Sequence, residues 1–160
     1  MSAPLLDAFI EGDRASITRL APFRVPDDFP GDAVDLVRFR RHQLRRDPAR
    51  GRWLLRALVR RADGVMIGYA NFHGPPGVND IGARDAVELG WTVFPEHRGH
   101  GYATEAATAL MAWATRTHGI THFISSTTPD NAASLRVHEK LAFVPTGQIV
   151  DGEVIFELRR

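Results

Sequence analysis

The hydrophobic positions of this chain change rhythm along its length. Over residues 4–20 the apolar side chains Leu5, Leu6, Phe9, Ile10, Ile17 and Leu20 recur at helical spacing, interrupted at Gly12. Prolines at 22, 26 and 30 make residues 22–31 a loop. Residues 32–46 then predict a helix with Val34, Val37, Phe39 and Leu44 as its buried contacts, stopped near Pro48. From there the rhythm shortens. Residues 53–60 and 65–72 read as strands joined at Asp63-Gly64, a hairpin signal. Residues 73–85 are a Gly/Pro/Asn loop and residues 86–94 a third strand.

A long helix over 102–117 carries Ala103, Ala106, Ala107, Leu110, Met111 and Ala114 on a close-packing face, and Gly119 ends it. Residues 122–128 predict a strand and 131–141 a helix. Residues 143–150 and 153–158 form a closing hairpin around Asp151-Gly152. Two helices, three strands, helix, strand, helix and two strands is a mixed α/β order, not an alternating parallel one. With no linker and no internal repeat, a single domain spanning 1–160 is expected.

Composition narrows the classes. A hydrophobic share of 44% is that of an ordinary globular protein and excludes a largely disordered chain. No apolar run approaches the ~20 residues needed to span a bilayer, so no membrane partner is expected. The start of the chain lacks the basic residues and cleavage site of a signal peptide. Cysteine is absent, which removes disulfides, thiol nucleophiles and thiolate metal sites and makes the cytoplasm the expected compartment. Net charge is +1, yet ten of the nineteen arginines fall within residues 38–61, opposed only by Asp47. Such a block is either a solvated face or an attractor of anions. No zinc-finger spacing or RNA-binding aromatic strand accompanies it, so nucleic acid is not expected as a partner.

The informative segment is Val93-Phe94-Pro95-Glu96-His97-Arg98-Gly99-His100-Gly101-Tyr102-Ala103: strand, glycine turn, helix. Glycines at 99 and 101 let backbone N–H groups converge at a helix start, an arrangement that suits a pyrophosphate. The nucleotide P-loop and the dinucleotide fingerprint both fail on spacing, the latter because Thr104 stands where its third glycine belongs. Arg98-Gly99-His100-Gly101-Tyr102-Ala103 resembles the Arg/Gln-x-x-Gly-x-Gly/Ala signature of the GNAT superfamily of N-acyltransferases. Thirty residues on, Asn131 to Phe143 resembles that superfamily's second landmark, an Asn-led helix ending in Glu-Lys-Leu-Gly-Phe. Val87-Glu88-Leu89-Gly90-Trp91 and Gly101-Tyr102-Ala103-Thr104-Glu105-Ala106 look like the branch of the bacterial ribosomal-protein alanine acetyltransferases. The resemblance covers roughly residues 53 to 160.

It implies a mixed, mostly antiparallel central sheet flanked by helices and splayed around Trp91, Thr92, Val93 and Phe94 on one side and residues 123–127 on the other. Acetyl-CoA would be the cosubstrate, with its pyrophosphate on Arg98, Gly99, His100, Gly101, Tyr102 and Ala103 and with a hydroxyl from Thr104. The pantetheine arm would lie in the splay against Asn131, with Ser134 near it. Asn131 also reads as an N-cap and Ser134 as an exposed helix residue. The expected chemistry is direct attack of a primary amine on the thioester, with no covalent enzyme intermediate and no metal.

Acyl transfer needs a neutral amine, a polarised carbonyl and a proton for the leaving thiolate. A backbone N–H near Val93 would meet the oxyanion. Glu88 is the candidate base, or else a structural strand residue. Some relatives use a glutamate where this chain has Ser126, which could still order a water. His138 stands where several relatives hold a proton-donating tyrosine, though it also reads as a packed helix histidine. His73, at the mouth of a loop, suits an acceptor site, and His97 or His100 the 3′-phosphate.

The family's opening strand finds no counterpart before the first helical pattern. That leaves a sheet edge for a second subunit, the sequence's pointer to a homodimer. The acceptor lies in parts the motifs do not cover, so a protein N-terminus and a small amine both stay open. The competing reading is a non-catalytic domain that binds acyl-CoA as a sensor or scaffold.

Overall fold

In the computed structural model, which describes residues 1–160, the first hydrophobic pattern forms two helices, α1 (Ala3–Glu11) and α2 (Arg14–Leu20). Gly12 takes φ +69° as a left-handed cap and returns its N–H to the carbonyls of Ala8 and Phe9. Asp13 accepts from the Ser16 N–H and starts the next helix. One glycine and one cap thus divide a single periodic stretch. Leu5, Leu6 and Phe9 of α1 are buried, each contributing about 1.5–3 kcal/mol over exposure.

The helix expected at 32–46 begins as a 3-10 turn, Gly31–Ala33, and continues as α3 (Val34–Arg46). Phe39, expected in the core, is 53% exposed. It lies two residues from fully buried Val37, hence roughly 200° around the helix. Arg40 takes the inward position instead, 4% exposed, with Nη1 donating to Gln43 Oε1 at 2.9 Å. The strand expected at 53–60 also shortens. Trp53, Leu54 and Leu55 are consecutive and all buried after the 3-10 turn Pro48–Arg52, a pattern no alternating strand produces, and β1 is Arg56–Arg60 alone. It leads through residues 61–64, closed by Gly64 at φ +69°, into β2 (Val65–Phe72). Beyond α2 the chain makes an isolated parallel bridge, Arg24 to Val65.

Much of the arginine block is spent within this part of the chain. Arg38 pairs with Asp35, Arg41 with Asp7, Arg50 with Asp47 and Arg60 with Asp63, while Arg56 donates to the carbonyls of Leu54 and Arg52.

Residues 1–69 and 70–160 form two compact units, with β2 running from the first into the second. The second contains β3 (Ala86–Val93), α4 (Tyr102–His118), β4 (His122–Thr127), α5 (Ala132–Lys140), β5 (Val144–Val150) and β6 (Glu153–Arg159). Strand order is β1-β2-β3-β4-β6-β5, a mixed, mostly antiparallel sheet flanked by helices, as expected. Fully buried Ala86, Ile124 and Ile155 form a core cluster with Ile81, Ala83 and Val150 against it.

The strand pair β3–β4 is parallel and short. Only Ala86–His122, Val87–Phe123 and Glu88–Ile124 are in register, whereas β4 stays paired with β6 as far as Thr127–Val154. Past Glu88 the two strands part. At their closed end the buried ring of His122 faces Asp85 through Nδ1 at 3.1 Å and Glu157 through Nε2 at 3.0 Å, tying that end of the sheet together.

Candidate active site

Where β3 ends, the chain makes a 3-10 turn, Pro95–His97, and passes through Gly99 and Gly101 into α4. Both glycines have positive φ, +81° and +83°, and a Cβ on either would meet nothing within 4 Å. The backbone angle, not space, requires glycine there. Gly101 is the N-cap and supplies no side-chain acceptor, so the first N–H groups of α4 stay available at the positive end of the helix dipole. Arg98 Nε donates to the Val93 carbonyl at 3.0 Å and pins the turn to the end of β3. His100 turns back: its Nδ1 lies 2.8 Å from the Arg98 carbonyl and its ring stacks on Tyr102. Opposite, Asn131 Oδ1 accepts from the Ser134 N–H at 3.1 Å and caps α5, an acceptor role that leaves its amide NH2 as a donor.

Between these elements runs a cleft of about 480 Å³. Trp91, Thr92 and Val93 line it from β3; Arg98, Gly99, Gly101, Tyr102, Ala103 and Thr104 from the turn and α4; Asn131 and Ser134 from α5. His100 is not among the lining residues, whereas His97 is. Ala133, Arg136, Val137 and Lys140 also line it and went unremarked in the sequence. Their 3–4 residue spacing is one face of α5, a signal available once the helix phase is fixed. Size and lining suit a small-molecule site. No carboxylate lines it, and Arg98, Arg136 and Lys140 bring positive charge.

A second cluster surrounds Glu88. Its side chain is fully buried; Oε2 accepts from the Asp80 N–H at 2.8 Å and lies 3.5 Å from His73 Nδ1. Ser126 Oγ is 3.4 Å from Oε1 of Glu88 but donates at 2.6 Å to Glu153 Oε2. Burial pushes the Glu88 carboxyl up, but the hydrogen bond and charge of His73, with the Asp80 N–H and Ser126, outweigh it and hold Glu88 below the usual glutamate value. Asp80 moves the other way, raised by burial and by the charge of Glu88. Candidate ligand atoms of His73, Asp80 and Glu88 lie within 4.8 Å of one another, the group that could hold a metal ion.

The profile of the acetyltransferase (GNAT) domain matches residues 5–144. The chain belongs to the GNAT family. Among its relatives, the uncharacterized N-acetyltransferase YjdG of Bacillus subtilis is 27% identical over 145 residues, 88% of this chain and 81% of that protein. The aminoglycoside N(6′)-acetyltransferase type 1 of Salmonella typhimurium is 33% identical over 98 residues, 60% of this chain and 67% of the other. The crystal structure of the ribosomal-protein-alanine N-acetyltransferase from Brucella melitensis superposes with a TM-score of 0.63 at 20% identity, covering 100% of this chain and 97% of that one. Family membership makes this GNAT protein an acetyl-CoA-dependent acetyltransferase in its general activity. No helix of it is long and apolar enough to cross a membrane.

His138 of this GNAT protein is buried among Trp91, Phe143 and Phe156, with ring centroids 5.1, 5.6 and 4.3 Å away. Its Nδ1 lies 2.8 Å from the Ser134 carbonyl and therefore carries the proton, while buried Nε2 has no hydrogen-bond partner. Burial lowers its pKa, against the opposing hydrogen bond to Ser134. Of the two readings the sequence offered for His138, proton donor or packed helix histidine, this is the geometry of the second, a packed neutral imidazole. A larger concavity of about 760 Å³ lies in the first unit, but its arginines are already engaged: Arg14 on the Val25 and Pro26 carbonyls and on Asp27, Arg24 on the Asp63 carbonyl.

Proposed function

We propose that this GNAT protein, acting as one catalytic domain over residues 1–160, transfers the acetyl group of acetyl-CoA to a primary amine by direct attack. The observation that carries this reading is the parting of β3 and β4 beside an α4 N-terminus with no side-chain cap. Pyrophosphate suits the N–H groups between Arg98 and Thr104. The pantetheine arm suits the cleft wall of Trp91, Thr92 and Val93, facing the Asn131 amide and Ser134. An N–H near Val93 would meet the developing oxyanion, on a strand end that Arg98 holds rigid. Glu88, kept anionic by its neighbours, is the sink for the amine's proton, and Ser126 orders that pocket through Glu153. The thiolate leaves unaided, since a thiol of pKa ~8.5 departs readily.

The acceptor is a small amine or a protein N-terminus. The Salmonella relative is named for the first and the Brucella structure for the second. The carboxyl groups of Asp80, Glu88 and Glu153 favour an acceptor that arrives as a cation.

Calorimetry should show acetyl-CoA binding to the wild type and at least tenfold weaker binding to Gly101→Val, whose φ of +83° a branched side chain resists. Thiol release with a panel of amines should follow, and Glu88→Gln should slow it about 10–1,000-fold at unchanged acetyl-CoA affinity. A folded protein that binds no acetyl-CoA defeats the proposal. Binding with no amine acetylated leaves a non-catalytic acyl-CoA sensor.

A further inference from the structure

We propose that His138 sets which acyl groups this protein accepts: its caged imidazole backs Trp91, and the two together close the cleft to chains longer than acetyl. The inference rests on the acetyltransfer reading above and adds to it a positioning residue that governs specificity through Trp91. On that reading the donor's phosphates lie on the turn after Val93 and its thioester carbonyl at the N–H near Val93. From there β3 runs back towards Trp91. Trp91 and Val93 are alternate residues on one face of the strand, so the indole is the next side chain on that face for an acyl group reaching past Val93.

Behind the indole the packing is closed. Trp91 is partly buried and lines the cleft, and its ring centroid lies 5.1 Å from that of His138. The same imidazole lies 4.3 Å from Phe156 of β6 and meets Phe143 edge-on at 5.6 Å. His138 is 1% exposed, and Phe143 and Phe156 are buried with it. At 3.6 residues per turn it stands about 40° around α5 from Ser134, which lines the cleft, so it occupies the border of the cleft face. Nδ1 donates to the Ser134 carbonyl at 2.8 Å and fixes the ring's orientation. A close-packed interior does not make room for an added methylene without strain, so the indole has nowhere to withdraw.

The volume of the side chain does this, not its polarity. Nε2 is buried with no hydrogen-bond partner and adds nothing polar to the cage. A leucine would fill similar space and leave no acceptor unpaired. A smaller residue, by contrast, leaves a void beside Trp91 into which the indole can move and a longer acyl chain can follow. Fit of one methylene in an apolar pocket discriminates by about 10–200-fold, which sets the size of the effect to look for.

Acetyl-, propionyl- and butyryl-CoA, compared on the wild type, His138→Ala, His138→Val and His138→Leu with the best amine of the panel, test this. The wild type should prefer acetyl- over butyryl-CoA by about 10²-fold or more in kcat/KM. His138→Ala should cut that preference about tenfold or more, and His138→Val should cut it by less. His138→Leu, which keeps the bulk, should stay within about threefold of the wild-type ratio. Where His138→Ala does not fold, His138→Val carries the test. A purely structural role slows all three donors alike, so unchanged ratios in the folded Ala and Val variants overturn the proposal. A wild type that takes butyryl-CoA as readily as acetyl-CoA overturns it too. Calorimetry with the same donors separates this from catalysis. A wild type that binds acetyl-CoA in preference to butyryl-CoA, and loses that preference in His138→Val, upholds the acyl wall even if no amine is acetylated, a result that defeats the acetyltransfer reading alone.

Discussion

A histidine on the α5 helix can act as an acid only if its ring gains a proton, and the surroundings of His138 oppose that. Three aromatic rings replace water around it, and its one hydrogen bond, to Ser134, is made from the nitrogen that already carries hydrogen in the neutral form. The consequence for stability has a definite sign. Since burial holds the folded-state pKa below the unfolded value of 6.5, the unfolded chain binds the proton first as pH falls. Folded stability attributable to this group is complete above about 6.5 and is lost as pH descends towards the lowered value. Denaturant unfolding of wild type and His138→Phe at pH 7.5 and 5.5 should show the wild type losing more stability over that interval. Parallel losses would mean that the ring is protonated in the fold. The helical position of His138 was legible from the Asn131 landmark. The cage was not, because Trp91, Phe143 and Phe156 reach it from β3, the turn after α5 and β6.

Elements whose ends are fixed by local chemistry were the ones legible in sequence. Asp151-Gly152 forms the two-residue turn expected, with φ of +49° and +83°, both positive as a type I′ turn demands. Gly119 ends α4 in the left-handed conformation. The N-terminus of β1 was not legible, because Trp53 to Leu55 are apolar for burial and not for a strand. Asn131 is an element end with two claims on it, the helix cap and the proposed contact to the pantetheine arm, and substitutions separate them. Asn131→Ala should cost about 1 kcal/mol of stability through the lost cap and also weaken acetyl-CoA. Asn131→Asp caps equally well, so thermal unfolding should match wild type while calorimetry shows weaker acetyl-CoA binding, the amide donor having become an anion. Equal affinity in Asn131→Asp would leave the residue a cap alone.

At the scale of the whole chain, a net charge of +1 concealed how charge is arranged. Five arginines of the block that dominates the sequence, Arg38, Arg41, Arg50, Arg56 and Arg60, are tied to neighbouring acids and carbonyls in the first unit. In the second unit the signs separate. Asp80 lies beside Glu88, and Ser126 joins Glu88 to Glu153, whereas the cleft carries Arg98, Arg136 and Lys140 and no carboxylate. Arg98 came from a motif, but Arg136 and the chain's single lysine acquire meaning only from the phase of α5, which places both on the cleft face with Ala133 and Val137. A ligand with several phosphate charges should feel this, and exposed charges of this kind are screened beyond ~10 Å at 0.1 M salt. Arg136→Ala and Lys140→Ala should each weaken acetyl-CoA binding about two- to fivefold at 0.05 M salt, the scale of an exposed ion pair. Raising salt to 0.5 M should weaken the wild type more than the double variant, in which Arg98 is the arginine left in the cleft to be screened. Removing the 3′-phosphate from the ligand separates the two places these side chains could act. If they hold that group, the variants lose nothing further with 3′-dephospho-CoA; if they act on the pyrophosphate beside Gly99 and Gly101, the same loss persists. Affinity indifferent to salt in the wild type would show that α4's N–H groups bind the phosphates without help from α5.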